Sequence, residues 1–152
     1  VLSWGRGEDG QLGHGDAEER QRPQAVFSLI GRGVSSVHCG AEYSLSVAAA
    51  DKQIYSWGWG DFGRLGTGDC KDVFIPFPLP SLAGRPVASV ACGDTHTLVA
   101  TQAGELFAFG RNQNGQLGIG SIHDGLTPQQ VTGLQVGAVH ALGSSSRLGW
   151  VG

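Results

Sequence analysis

The chain has 152 residues, a formal net charge of −3, and 15% charged against 40% hydrophobic residues. That composition is globular rather than disordered, and it gives no reason to expect non-specific binding to nucleic acid or anionic membranes. Glycine supplies 26 residues, well above ordinary usage and without a collagen-like triplet.

No apolar run reaches the roughly eighteen residues that span a bilayer, and no basic-then-apolar leader opens the chain. There is no methionine and position 1 is valine, so the sequence reads as a piece of a longer protein.

Taken in order, Val1 to Trp4 reads as the end of a strand. A glycine stretch from Gly5 to Gly15 follows, then a charged segment from Asp16 to Arg22, then Pro23. Pro23, Pro76 and Pro128 are 53 and 52 residues apart, and each is expected to mark the start of a short edge strand. Val34-Ser35-Ser36-Val37 and Val87-Ala88-Ser89-Val90 alternate apolar and small residues at period two, and each leads into a Cys-Gly pair.

Tyr43–Val47 and His96–Ala100 are the next short strands. Turns at Asp51-Lys52 and Ala103-Gly104 return the chain to Ile54–Trp57 and Leu106–Phe109. Four short strands per unit of about fifty residues, with no helical period, predict the blade of a β-propeller.

One stretch organises these units. Ser56-Trp57-Gly58-Trp59-Gly60-Asp61-Phe62-Gly63-Arg64-Leu65-Gly66-Thr67-Gly68-Asp69 recurs, with changes, at Ser3–Asp16 and Ala108–Ser121. Its aromatic anchors Trp4, Trp57 and Phe109 keep the same 53- and 52-residue spacing, and Gly10, Gly63 and Gly115 recur with them, which is the signature of a repeat architecture.

The third unit departs. Val136–Val139 sits eight residues after Pro128 where the other units have eleven, and nothing from Ala141 to Gly152 matches the Cys-Gly strand pair. The expectation is an all-β chain with propeller repeats over 1–135, about two and a half to three four-stranded blades. Residues 136–152 form a divergent or truncated tail of low order. A closed ring needs at least four blades.

Gly5-Arg6-Gly7-Glu8-Asp9-Gly10 and Gly58-Trp59-Gly60-Asp61-Phe62-Gly63 both satisfy G-x-G-x-x-G. A dinucleotide site would need a helix opening at the last glycine, and Arg64-Leu65-Gly66-Thr67-Gly68 does not open one. Asn112 replaces the middle glycine in the third copy, and asparagine tolerates a left-handed backbone. The glycines are therefore expected to serve turns, and no cofactor or small-molecule ligand is expected.

The five histidines show no metal-ligand spacing, and His96 reads as structural. Cys39, Cys70 and Cys92 form no C-x-x-C pair and read as small buried thiols in a reducing compartment. No nucleophile elbow or isolated carboxylate pair points to an enzyme.

Charge is more informative at one repeat position, occupied by Arg6, Trp59 and Arg111. Arginine is rarely buried unpaired, so this position is expected on a surface that makes charge-assisted or cation–π contacts. Glu8, Asp9, Asp61 and Asp94 are close to it in sequence.

The motif Trp-Gly-x-Gly-x-x-Gly-x-Leu-Gly-x-Gly-Asp, the later proline and the Cys-Gly-x-x-His-Thr segment resemble the regulator of chromosome condensation repeat family. That resemblance implies an arc of a seven-bladed propeller with about fifty residues per blade. Ser3–Glu19, Tyr55–Gly66 and Gly110–Gly118 resemble in particular the amino-terminal blades of its ultraviolet-B photoreceptor branch.

Members of that branch are homodimers held by salt bridges and cation–π contacts. Interface tryptophans absorb the light, and the monomer engages a nuclear E3 ubiquitin ligase. The resemblance places Arg111, Asp61, Asp72, Asp94, Glu8, Asp9 and Trp59 on a dimer or partner interface, and the protein in cytoplasm and nucleus.

The chain departs from the branch where its sensing motif, Gly-Trp-Arg-His-Thr, would lie. The matching segments here are Gly40-Ala41-Glu42-Tyr43-Ser44 and Gly93-Asp94-Thr95-His96-Thr97. Phe109 also stands where the branch has tryptophan. The alternative the same repeats allow is a generic interaction module, either a chromatin-associated guanine-nucleotide exchange factor or a ubiquitin-ligase domain.

Overall fold

The computed structural model describes residues 1–134, 142–144 and 149–151. The period-two segments become β3 (Val34–Cys39), β4 (Tyr43–Ala48) and β5 (Gln53–Gly58), closed by β6 (Val73–Pro78). They make a four-stranded antiparallel sheet in the order β3-β4-β5-β6.

The next repeat builds the same sheet from β7 (Val87–Cys92), β8 (His96–Thr101), β9 (Leu106–Gly110) and β10 (Gly125–Gln130). β1 (Leu2–Gly5) and β2 (Arg20–Ala25) form a two-stranded sheet equivalent to β5–β6. The architecture is all-β: two whole propeller blades and an outer half-blade before them. The only helical pieces among the described residues are single 3₁₀ turns at Phe27–Leu29, Asp61–Gly63 and Pro80–Leu82.

Each outer strand carries its proline within the strand rather than at its start, at Pro23, Pro76 and Pro128. A proline on an outer strand removes one ladder donor and protects the edge from pairing with another chain. The cores lie between blades. Tyr43, Leu45, Val47 and Ile54 of one blade pack with Val90, Val99, Phe107 and Phe109 of the next, while Trp57 packs with Tyr55, Ala48, Val26 and Leu29.

β11 (Leu142–Ser144) and β12 (Gly149–Val151) pair antiparallel. Leu142↔Val151, Gly143↔Trp150 and Ser144↔Gly149 reproduce Val90↔Val99, Ala91↔Leu98 and Cys92↔Thr97 of β7–β8 with a 52-residue offset. β11 also lies against β7, as β7 lies against β3.

This hairpin departs from the expectation that nothing in Ala141–Gly152 matches the Cys-Gly strand pair. Strand position was kept while the residue types that marked it were lost. The expected strand at Val136–Val139 and the low order of the rest of the tail fall outside the described residues.

Candidate interaction face

The register brings one set of loops together. Tyr43 is opposite Gly58 and His96 opposite Gly110, so the β3–β4 and β7–β8 loops adjoin the glycine turns that follow β5 and β9. At these points the chain leaves the sheet through Gly58 and Gly110, both at positive φ (112° and 109°). The next amides are tied back to the loops: Trp59 N–H donates to the Glu42 carbonyl at 2.8 Å and Arg111 N–H to the Thr95 carbonyl at 2.9 Å. Asp72 and Asp124, at the start of β6 and β10, lie at the same end.

Inside each turn the middle position of G-x-G-x-x-G is not left-handed. Gly60 has φ −96°, and glycine is required because a Cβ there would collide with the Lys71 carbonyl. The expectation that Asn112 substitutes for a left-handed glycine is therefore corrected. Asn112 is absent from the positive-φ residues.

Its amide does a different job. Nδ2 donates to the carbonyls of Ser121 and His123, both at 2.9 Å, and Oδ1 accepts from Leu117 N–H at 3.0 Å. His123 is the repeat equivalent of Lys71, so the side chain bonds the group that a Cβ on Gly60 would strike. Asp72 Oδ1 accepts from Gly60 N–H at 2.9 Å, and Asp124 Oδ1 from Asn112 N–H at 2.7 Å. Asp72 thus braces a turn while remaining exposed.

The three copies of the charged position differ. Arg6 is saturated within the chain. It meets Glu8 at 2.7 Å, Glu42 at 3.2 Å and Asp9 at 3.8 Å, and the Glu8 hydrogen bond is the main cause of its raised pKa. Trp59 is half-buried and its ring lies 4.0 Å from the Arg64 guanidinium carbon. Arg111 lies 4.5 Å over Phe62 and donates to Gln113 Oε1 at 2.7 Å.

Arg111 forms no ion pair among the described residues, nor do the exposed Asp61 and Asp94. The face therefore has a neutralised cluster at β1 and unmatched charges of both signs from Gly58 to Arg111.

Arg64, Glu42 and Phe62 belong to this face and were missed by sequence reasoning. Arg64 is 0% exposed. Its Nε donates to the Asp61 carbonyl at 3.0 Å, and its Nη1 to the Asp94 carbonyl at 2.8 Å and the Ala41 carbonyl at 3.3 Å. It clamps two neighbouring loops, and burial holds its pKa down. Phe62 sits at φ 62°, a strained backbone for a bulky residue, which sets its ring under Arg111. The tell-tale was available at positions 11, 64 and 116, where glutamine, arginine and glutamine alternate.

The anchor aromatics part company. Trp57 and Phe109 are 1% and 0% exposed, whereas Trp4 is 59% exposed. Gly10, Gly63 and Gly115 all take positive φ (79°, 75° and 72°) and donate back across their turns to Gly7, Gly60 and Asn112. His96 is fully buried, and its carbonyl accepts from the Tyr43 hydroxyl at 2.8 Å.

The expectation of buried thiols is corrected for Cys39 and Cys70, which are exposed, while Cys92 is half-buried with its thiol pushed up to about 12 by burial. Cys39 lines a cleft with Leu2 and Trp4 of β1, whereas Cys92 packs against the cluster that holds Tyr43 of the preceding blade. Among the described residues no group of three or more His, Cys, Asp or Glu is placed to hold a metal ion.

The profile of the "Regulator of chromosome condensation (RCC1) repeat" matches residues 1–47, 51–100 and 103–146. The chain belongs to this repeat family. It is 52% identical over 131 residues to the ultraviolet-B receptor UVR8 of Arabidopsis thaliana, covering 86% of this chain and 30% of that protein. It is 37% identical over 152 residues to the human E3 ubiquitin-protein ligase HERC2, covering 99% of this chain and 3% of that one.

Among solved structures it superposes on Prp20p of Saccharomyces cerevisiae with a TM-score of 0.81 at 23% identity, covering 97% of this chain and 38% of that one. On human WBSCR16 the TM-score is 0.76 at 25% identity, covering 95% and 37%. The repeat-family chain thus spans less than a third of the ultraviolet-B receptor.

Proposed function

We propose that this chain is part of an ultraviolet-B-receptor-like propeller and acts as a protein-binding module rather than a catalyst, its loop face meeting a second charged surface. The observation that carries this reading is the set Asp61, Asp94 and Arg111. These are charges of both signs on one face, with no ion-pair partner among the described residues, beside Phe62 and Trp59. Exposed pairs contribute only about 0–1 kcal/mol each, so such a face gains specificity and association rate from several complementary contacts rather than one.

In the full-length protein the same face would join two copies. Light absorbed by intrinsic tryptophans would weaken the charged network, and the freed monomer would signal through an E3 ubiquitin ligase in the nucleus. The similarity to the ultraviolet-B receptor over 86% of the chain supports this reading. The second reading, a generic interaction propeller, draws on the match to HERC2 over 99% of the chain and on Phe109 standing in place of a tryptophan.

The two readings separate on the full-length product. Under ultraviolet-B illumination a receptor shifts to the monomer volume in size-exclusion chromatography, and an elution volume unmoved by light leaves the generic module. If the face is the contact, Asp94→Lys or Arg111→Glu weakens the dimer and high salt mimics them. A dimer indifferent to both would sink the charged-face reading.

A further inference from the structure

One arginine site occurs twice in the chain, closed in one repeat and open in the other. In the closed copy Arg85, just before β7, reaches the start of β9. Its Nη1 donates to both carboxylate oxygens of Glu105, at 2.7 and 2.6 Å, and its guanidinium carbon lies 5.1 Å over the Phe107 ring. Thr101 Oγ1 donates to the same carboxylate at 3.4 Å. This arginine is satisfied within the chain.

The register fixes the counterparts. Gln53 is opposite Ala48 on β4–β5, as Glu105 is bonded to Thr101 beside β8. Arg32 precedes β3 as Arg85 precedes β7. Arg32, Gln53 and Tyr55 therefore stand where the next repeat has Arg85, Glu105 and Phe107, and Ala48 stands in place of Thr101.

The exchange of glutamate for glutamine opens the first copy. Among the described residues Arg32 makes no ion pair, and its hydrogen bond is a long one, 3.5 Å from Nε to the Ser28 carbonyl. Gln53 Oε1 and Ser28 Oγ are buried atoms without a hydrogen-bond partner there, a condition that is rare in folded proteins. They line a pocket of about 470 Å³ with Arg32, Tyr55, Asp51, Pro76 and Pro78, a size typical of small-ligand sites. Asp51, from the β4–β5 turn, is exposed and also has no ion pair among the described residues. All these residues lie between Ser28 and Pro78, and every group that closes the second copy has its counterpart here. The opening therefore comes from the residue exchange and not from the ends of the chain.

We propose that this pocket binds a small amino acid, its carboxylate on Arg32 where Glu105 stands in the next repeat and its ammonium on Gln53 Oε1 and Asp51. Tyr55, Pro76 and Pro78 supply the wall against its carbon chain. A ligand here departs from the sequence expectation of none. Gln53 opens β5, and Gly58 at the other end of that strand enters the charged face, so the inference does not rest on that face.

Isothermal titration calorimetry of the 152-residue chain with single L-amino acids tests it, with acetate and ethylamine as controls that carry one group each. An exposed arginine contributes modestly, so one-site saturation is expected near about 1 mM, with both controls at least about tenfold weaker. Arg32→Gln should weaken binding by at least about tenfold. Gln53→Glu should build the ion pair of the closed copy, abolishing binding and raising the melting temperature together, with β circular dichroism unchanged. A merely structural Gln53 would not give that coupled loss and gain.

No saturable binding by any amino acid overturns the proposal. So does binding that either variant leaves intact, or acetate binding as tight as that of an amino acid. Saturation by an acidic peptide alone overturns it too, and would assign the pocket to a protein partner.

Discussion

Trp4, Trp57 and Phe109 hold one repeat position in three sheets, yet the first is 59% exposed and the others 1% and 0%. The same holds for Cys39, exposed, and Cys92, half-buried. Burial in this fold is thus a property of the boundary between blades: each anchor packs back onto the unit before it. Trp57 Nε1 donates to the Gln11 carbonyl of the preceding turn at 2.9 Å, and Phe109 lies in one cluster with Tyr43 and Leu65 of the blade before. Trp4 has no such neighbour among the described residues.

The largest effect expected from that difference is on stability. Trp57→Ala or Phe109→Ala should cost about 3–5 kcal/mol, as emptied aromatic core sites do. Trp4→Ala should stay within about 0.5 kcal/mol. Urea melts of the three variants decide it, and equal losses would mean that the anchors stabilise their own blades and not the boundary.

The next comparison is between loop clamps. Arg64 ties the Asp61, Asp94 and Ala41 carbonyls together from a buried position, and its repeat equivalent Gln116 only accepts from Asn114 N–H at 2.9 Å. Hydrogen bonds to a charged group contribute about 1.5–3 kcal/mol, so Arg64→Ala should cost about that much and release Trp59 from its 4.0 Å stack. Gln116→Ala should cost less, about 1 kcal/mol. Tryptophan emission that fails to change in Arg64→Ala would break the assignment of Trp59 to that stack.

Smaller still is the contrast between Gly60 and Asn112, two solutions to one turn. Gly60→Ala forces a Cβ into the Lys71 carbonyl and should cost about 1–3 kcal/mol as overpacking does. Asn112→Gly gives up three hydrogen bonds but leaves room for water, and should cost about 1–2 kcal/mol. A stable Gly60→Ala would show that the turn can relax and that glycine there is incidental.

These comparisons show which physics the sequence carried. The 53- and 52-residue spacing was legible because every blade repeats the same strand pairing, so propeller, strand order and glycine turns could all be read from it. What stayed hidden was set by neighbours rather than by period. Nothing in the repeat marks Arg64 for burial, which comes from two loops of different repeats closing over it.

Phe62 carries no mark in the sequence of the left-handed backbone that turns it under Arg111. Asn112 looked like a backbone choice and is a side-chain one. The β11–β12 hairpin was invisible because Leu142, Gly143 and Ser144 keep the positions of Val90, Ala91 and Cys92 without their pattern.

The smallest effect concerns pH and one side of the blade boundary. His38 lies on β3 beside a groove that β7 also lines, with Lys52 and Arg85. Its Nε2 is 3.0 Å from Ser36 Oγ, and burial holds its pKa below the ordinary 6.5. Below 6.5 the unfolded chain takes up a proton that the folded chain resists, so the unfolded state binds more protons and stability falls with falling pH. The contribution is whole above 6.5, declines as pH drops towards the folded value, and is flat below it.

His38→Gln should remove that slope and leave the acid limb set by carboxylates such as Asp16, whose pKa the Arg20 hydrogen bond lowers. Melting temperatures between pH 7 and pH 5 in wild type and variant measure the difference. Parallel curves would mean that the groove admits enough water, and the cations Lys52 and Arg85 stand far enough off, for the imidazole to charge without penalty.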